Sequence, residues 1–407
     1  MLAAGITALV AAVAVGTALG GSKAHTAQKA GYRAALVSDV AGFNDNGFNK
    51  NQLKGLKQAA KKIGGTSFPI VSHSSSDYQP NYNAAVHDNA QIIIAAGFLL
   101  ADTMGQYAKQ YPNTKFAITD DSVTDPALAG HTSNEEGITY ATQEGGCLVG
   151  VLAAKMAQKM GHKVIGVAGG LKIPPVDSYI AGYKFCARKA VKGTKVVVQY
   201  SGDFQDESKC ATIAQNEIQG QKAQVIFQVA GLCGDGALKE ASKLHKWGIG
   251  VDADEYSVAN RILTSALKKT DIGVYDTILS ASKGHFKGGK DLLFNVKNNG
   301  VGVGKISPKV PKSWIKLMNS YKAKIISGKL KPPAILKSQE PVARGRAFEP
   351  ALFVSGKKHT WPTTSSSRCG TSARSSRASS QTTASRSTFG AARCTPCSAR
   401  TERASPR

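Results

Sequence analysis

Between residues 34 and 251, short apolar runs alternate with helical patterns, and this alternation constrains the fold more than any other feature of the chain. The runs at 34–37, 91–95, 116–118, 163–167, 195–200, 223–229 and 248–251 are rich in Ile, Val and Ala. Helix-period patterns separate nearly all of them, among them 143–160, 176–190, 208–217 and 236–246. Strands that are apolar on both faces belong in a parallel sheet covered by helices on both sides. The series also divides in two. One set of strands ends before Gly130, a long helix follows from Gln143, and a second set runs from Lys163 to Val251. The economical architecture is α/β, with two doubly wound parallel-sheet lobes and a cleft between them.

Open α/β sheets bind ligands at the carboxyl ends of their strands, so polar residues should gather there. The stretch after the first strand does this most densely: Asp39, Gly42, Phe43, Asn44, Asp45, Gly47, Phe48 and Asn49 lie within one short loop. Its carboxylates and amides can hydrogen-bond a polar ligand, Phe43 or Phe48 can stack on a flat ring, and the glycines let the backbone turn and approach closely. The bland alternative is a polar turn in which Asn44 and Asp45 cap the next helix and a Phe plugs the core. Later strand ends repeat the pattern with Gly97-Phe98, Asp120-Asp121, Gly169-Gly170, the run Gly231 to Gly236, and Asp252 with Asp254. A terminal Asp or a glycine pair alone often makes only a turn, but their recurrence at corresponding strand ends points to a cleft site. Catalytic patterns are weak by comparison. The run Gly231 to Gly236 does not fit GxGxxG and lacks the Lys-Ser/Thr of a phosphate loop. No GxSxG or HExxH occurs and the eight His are dispersed, so neither a metal nor another cofactor is expected.

The formal net charge of +25 is partly carried by the C-terminal stretch 361–407, which holds eight Arg and one acid, Glu402. Elsewhere Lys is scattered over helical patterns (Lys54, Lys57, Lys61, Lys62) with few interleaved aromatics and no nucleic-acid-binding signature, so nucleic acid is not the expected partner. Residues 2–20 are free of charge and are followed by Ser22-Lys23-Ala24, a small-x-small pattern. The expectation is an export signal over 1–24, with a retained N-terminal anchor as the alternative. Four cysteines lie in the body, Cys147, Cys186, Cys210 and Cys233. In an exported protein these favour disulfides, and the preferred pairing is Cys186 with Cys210 and Cys147 with Cys233, the first pair lying on successive elements of one α/β unit.

A specific resemblance emerges from several segments taken together: Asp39-x-x-Gly42-x-x-Asp45-x-x-Phe48-Asn49, Gly97-Phe98, Gly169-Gly170, Gly182-Tyr183, Phe227-Gln228-Val229-Ala230-Gly231, Asp252-x-Asp254 and Leu263-Thr264-Ser265-x-x-Lys268. In this order, over roughly residues 31 to 335, the chain resembles the basic membrane protein family of ABC-transporter substrate-binding proteins, whose characterised members resemble purine-nucleoside receptors. The resemblance implies the type I periplasmic-binding fold, with three crossovers and a hinge. The lobes would comprise 31–140 plus about 262–288, and 141–261 plus about 289–335. It further implies Asn44 and Asp45 as polar contacts, Phe48 as a stacking face for a base, Asp120 or Asp121 as the acid that reads the base edge, and Asp252 with Lys268 on the ribose hydroxyls. Phe98, Gly231 and Asp254 are further candidates. The implied protein is a monomeric, non-catalytic receptor at the outer face of the plasma membrane that delivers a nucleoside to an ABC permease driven by a separate ATPase. Same-fold receptors for a sugar or other small polar metabolite, and a nucleoside-cleaving enzyme, are the alternatives. Gly47 stands where the family often has Ser, and Leu19-Gly20-Gly21-Ser22 contains no lipobox cysteine.

Past Pro333 the composition changes. The stretch 336–407 is rich in Ser, Arg, Thr and Ala, and from Trp361 it has almost no aliphatic residue larger than Ala, so it cannot bury a core. It reads as a basic disordered tail, a linker, or, as the preferred reading, a GC-rich coding region translated out of frame.

Overall fold

The computed structural model describes residues 31–128 and 133–336; the expected export segment at 1–24 and the tail past Leu336 lie outside the described residues. The first lobe is built from β1 (Arg33–Ser38), α1 (Phe48–Ile63), β2 (Thr66–Ile70), α2 (Tyr78–His87), β3 (Ile92–Ala96), α3 (Ala101–Gln110), β4 (Lys115–Thr119) and β5 (Glu135–Tyr140). The second begins with α4 (Thr142–Lys159), β6 (Val164–Gly169), α5 (Pro174–Ala190), β7 (Lys195–Val196) and β8 (Gln199–Tyr200). It continues with α6 (Glu207–Gln219), β9 (Val225–Val229), α7 (Gly231–Lys243), β10 (Trp247–Asp252) and β11 (Ile262–Lys268). The chain then returns to the first sheet with α8 (Thr270–Ser282) and β12 (Lys290–Phe294), and to the second with β13 (Val301–Val303) and α9 (Lys312–Ile326).

The first sheet has the order β12-β5-β4-β3-β1-β2 and is parallel throughout. The second runs β13-β11-β10-β9-β6-β7, with β8 also on β6 and only β13 antiparallel. The central strands are apolar on both faces because helices cover both: the whole of Ala34 to Val37 and of Ile92 to Ala96 is buried. Pro69 lies in β2, at the edge of the sheet, where a missing amide hydrogen costs no ladder bond.

Several boundaries differ from the sequence reading. The first set of strands does not end before Gly130. Glu135–Tyr140 is a further strand of that sheet, disguised by two glutamates that are fully buried; Glu136 accepts hydrogen bonds from Thr277 Oγ1 (3.0 Å) and the Lys287 amide (2.8 Å). The lobe boundaries expected near 262 and 289 put β11 with the first lobe and β12 with the second, but β11 pairs with β10 and β12 with β5. The single run at 195–200 is two short strands, and α7 starts at Gly231, so the glycine-rich stretch is the first turn of a helix rather than a loop.

The disulfides also differ from expectation. Cys147 bonds to Cys186 and Cys210 to Cys233, in place of Cys186–Cys210 and Cys147–Cys233. Each bond staples two helices that lie side by side, α4 to α5 and α6 to α7. The α4–α5 seam is unusually close because of glycine: a Cβ on Gly146 would stand 2.2 Å from the Tyr179 carbonyl oxygen, and one on Gly182 would stand 1.9 Å from that of Gln143. Backbones that near bring Cys147 and Cys186 within 4.9 Å, Cα to Cα.

Candidate functional site

The carboxyl ends of both sheets face one cavity, whose atom-free space, its open mouth included, is about 590 Å³. From the first lobe it is lined by Asp39, Asp45, Phe48, Asn49, Phe98 and Asp120, and from the second by Tyr179, Phe204, Val229, Gly231, Asp252 and Lys268, among others.

The start of α1 sets the first of these. Asp45 accepts from the backbone amides of Asn49 (2.7 Å), Lys50 (3.0 Å) and Gly47 (3.2 Å), so both carboxylate oxygens serve the unpaired donors of the helix N-terminus. The capping and ligand readings of this loop thus both apply: Asp45 caps, and in doing so presents Phe48 and Asn49 to the cavity. Asn49 Nδ2 donates to Asp39 Oδ1 (2.7 Å), which also accepts from the Ala41 amide (3.0 Å). Burial pushes the Asp39 carboxyl up to about 6, against the pull of these hydrogen bonds. Gly97, with φ at 117°, leaves room that a Cβ would take: the atom would stand 3.0 Å from the Phe48 ring and 3.7 Å from Asp39 Oδ2.

At the centre an ion triad joins the lobes. Lys268 Nζ, at the end of β11, lies 2.6 Å from Asp120 Oδ2 and 3.1 Å from Asp252 Oδ1, and all three side chains are at most 10% exposed. The two acids occupy equivalent places, the carboxyl ends of β4 and β10, and both take the left-handed conformation (φ 66° and 60°), which turns each carboxylate inward. Asp tolerates this conformation better than most residues. The same ammonium sits 4.4 Å from the centre of the Phe48 ring, and Tyr179 Oη donates to Asp252 Oδ1 (3.1 Å). Burial alone would lower the lysine's proton affinity, but two adjacent carboxylates outweigh it and hold the pKa above the usual lysine value. Burial raises Asp120, opposed by Lys268 and reinforced by Asp252.

Of the residues singled out from sequence, Asp39, Asp45, Phe48, Asn49, Phe98, Asp120, Gly231, Asp252 and Lys268 line this cavity, and four do not. Phe43 and Asn44 border a second pocket with Val71 and His73. Asp121 turns away to accept from the Ser122 amide (2.8 Å), and burial pushes its carboxyl up to about 7. Asp254 is exposed and accepts from the Lys305 amide (3.0 Å) on the far side of β11. Sequence reasoning missed Tyr179, which reads as an ordinary buried residue of an amphipathic helix. It also missed Phe204, which a consistent strand-end rule would have found in the turn after the run at 195–200. Two polar contacts away from the cavity also cross the cleft, Asn46 Nδ2 to Asp235 Oδ2 (3.3 Å) and Gln205 Nε2 to the Val40 carbonyl oxygen, so the lobes are closed on each other.

A family model described as "ABC transporter substrate-binding protein PnrA-like" matches residues 33–335. Among curated relatives, the "ABC transporter nucleoside-binding protein BmpA" of Lactococcus lactis is 32% identical over 323 residues, covering 72% of this chain and 88% of its own. A lipoprotein of Pyrococcus abyssi is 30% identical over 306 residues, covering 72% and 74%. Among solved structures, an ABC transporter solute-binding protein of Aeropyrum pernix K1 superposes with a TM-score of 0.66 at 24% identity, covering 74% of this chain and 94% of that one, a likeness of fold.

Proposed function

The chain belongs to the Bmp family of ABC-transporter substrate-binding proteins, and from that premise we propose that its cleft captures a nucleoside, with a purine base preferred. Its role is binding rather than catalysis, in partnership with a permease and an ATPase. The observation that carries the ligand reading is the buried triad of Asp120, Lys268 and Asp252 against the face of Phe48. Two carboxylates and an ammonium held rigidly together can accept from and donate to a vicinal diol through charge-assisted hydrogen bonds. Phe48 from one lobe and Phe204 from the other supply apolar ring surface for a flat base. Four Asp and one Lys line the cavity, a balance that suits a neutral ligand rich in hydroxyl and amino donors and disfavours a phosphorylated one. Export to the outer face of the membrane accords with the lipoprotein relative and with two disulfides among the described residues.

The test is calorimetric titration of the full chain, unfolded and refolded to strip carried-over ligand, with inosine, guanosine, adenosine, cytidine and ribose. Saturable binding of purine nucleosides without binding of ribose is the expected result. Binding of ribose alone would make the protein a sugar receptor of the same fold.

A further inference from the structure

In the second lobe the pairing of β9 with β10 stops at Phe227 and Ile249, just short of the residues that line the cavity. Beyond that point the strand ends are joined by side chains. Gln228 Nε2 donates to Glu255 Oε2 (2.6 Å), the same oxygen accepts from the Val251 amide (3.0 Å), and Gln228 Oε1 accepts from the Ala230 amide (2.9 Å). The Glu255 amide in turn donates to Ser265 Oγ on β11 (3.0 Å). Gln228 and Glu255 are both buried. Each also fills space that a glycine leaves free: a Cβ on Gly234 would stand 1.9 Å from Gln228 Oε1, and one on Gly250 would stand 2.5 Å from Glu255 Oε2. Neither glycine has a positive φ, so room for the pair is what these two positions provide.

We propose that Gln228 and Glu255 are positioning residues for ligand capture: they replace the missing ladder between β9 and β10 and so fix the Ala230–Gly231 turn and Asp252 at the spacing the ligand requires. Neither side chain lines the cavity; they act through the backbone amides of Ala230 and Val251, which line it together with their neighbours Gly231 and Asp252. Each strand keeps its outer partner, β9 pairing with β6 as far as Val229 and β10 with β11 as far as Asp252, so the seam between β9 and β10 is what can widen, and two buried hydrogen-bonded side chains limit that more firmly than water would. The glycines at 234 and 250 are then part of the same device.

This inference rests on the cleft being the binding site, and its test separates the two. In the full chain, Gln228→Leu and Glu255→Leu should each weaken inosine binding by about tenfold or more, the size of effect that loss of a ligand group's outer partners produces. Both should speed amide hydrogen exchange at Ala230 and Val251 without ligand present. The conservative variant Glu255→Gln can keep all four hydrogen bonds, its amide oxygen standing in for Glu255 Oε2, and should keep both affinity and amide protection. Wild-type affinity in the leucine variants, or loss of affinity in Glu255→Gln, would overturn the proposal. Should the native chain bind neither nucleoside nor sugar, the ligand reading falls and amide exchange decides alone, unchanged protection in the leucine variants counting against the proposal. If a leucine variant does not fold, Gln228→Met, which keeps the length of the side chain and removes only its hydrogen bonds, decides by its affinity, a wild-type value overturning the proposal.

Discussion

The two lobes share a strand order but hold their cleft edges by different means. In the first, the edge is backbone and helix: Asp45 ties the start of α1, and β3 pairs with β4 as far as Ala95 and Ile118, next to the strand ends. In the second, the ladder between β9 and β10 stops at Phe227 and Ile249, and the burden passes to side chains: the Gln228–Glu255 pair, Tyr179 on Asp252, and two disulfides that clamp α4 to α5 and α6 to α7. Among the described residues no disulfide lies in the first lobe. Corresponding strand ends can therefore carry corresponding acids, Asp120 and Asp252, while the supports beneath them are unlike. The first lobe's support is local in sequence. The second lobe's support is assembled from distant residues, and depends on an oxidising environment for two of its parts.

The largest effect should come from the ammonium that binds an acid of each lobe at the centre of the cavity. Lys268→Ala leaves Asp120 and Asp252 buried and facing each other without a cation; about 3–5 kcal/mol of stability should be lost by urea denaturation, together with measurable ligand binding. Retained affinity would mean that the triad is structural only.

Reduction or Cys→Ser replacement should then separate the lobes. The loops closed by the two bonds span 23 and 39 residues in sequence, for which chain entropy gives about 3–4 kcal/mol each. Scanning calorimetry of the reduced protein should show the second lobe melting earlier while the first keeps its transition. A common shift of both would erase the contrast drawn above.

Asp45→Ala is the reverse experiment. Losing three hydrogen bonds at the α1 terminus should cost about 1–2 kcal/mol, confined to the first lobe, as read by amide exchange along α1.

A fourth comparison uses pH. Glu217, fully buried on α6 above Gly166, has its carboxyl pushed up to about 9 by burial. A raised folded-state pKa means that the folded protein holds the proton more tightly than the unfolded chain does. The stability this contributes is complete below the ordinary value of 4.5 and is lost as pH rises through about 9. Glu217→Gln should flatten that alkaline decline in the second lobe and change little at pH 5; an unchanged slope would place the titration elsewhere.

The fold was legible because buried parallel strands are written as continuous apolar runs, and the strand-end rule then located most of the cavity. It failed where the signal is three-dimensional. Asp120 and Asp121 are indistinguishable in sequence, but only the first adopts the left-handed turn that faces the cleft. Glu135 and Glu136 hid a strand because two adjacent acids read as surface residues, whereas both are buried and Glu136 is compensated by groups far along the chain, Thr277 and Lys287. The cysteine pairing could not be read from order along the chain. The glycines of α4 and α5 did carry a sign of it, since small residues at helical spacing mark the seam where two backbones approach.

The most direct test of the account is the dependence of binding on the ribose hydroxyls. Titration of the stripped full chain with inosine and with 2′,3′-dideoxyinosine keeps the base and removes only the diol assigned to Asp120, Lys268 and Asp252. The account predicts that the dideoxy compound binds at least about a hundredfold more weakly, the loss expected when two hydrogen bonds to charged groups are removed. Equal affinity for the two would contradict it.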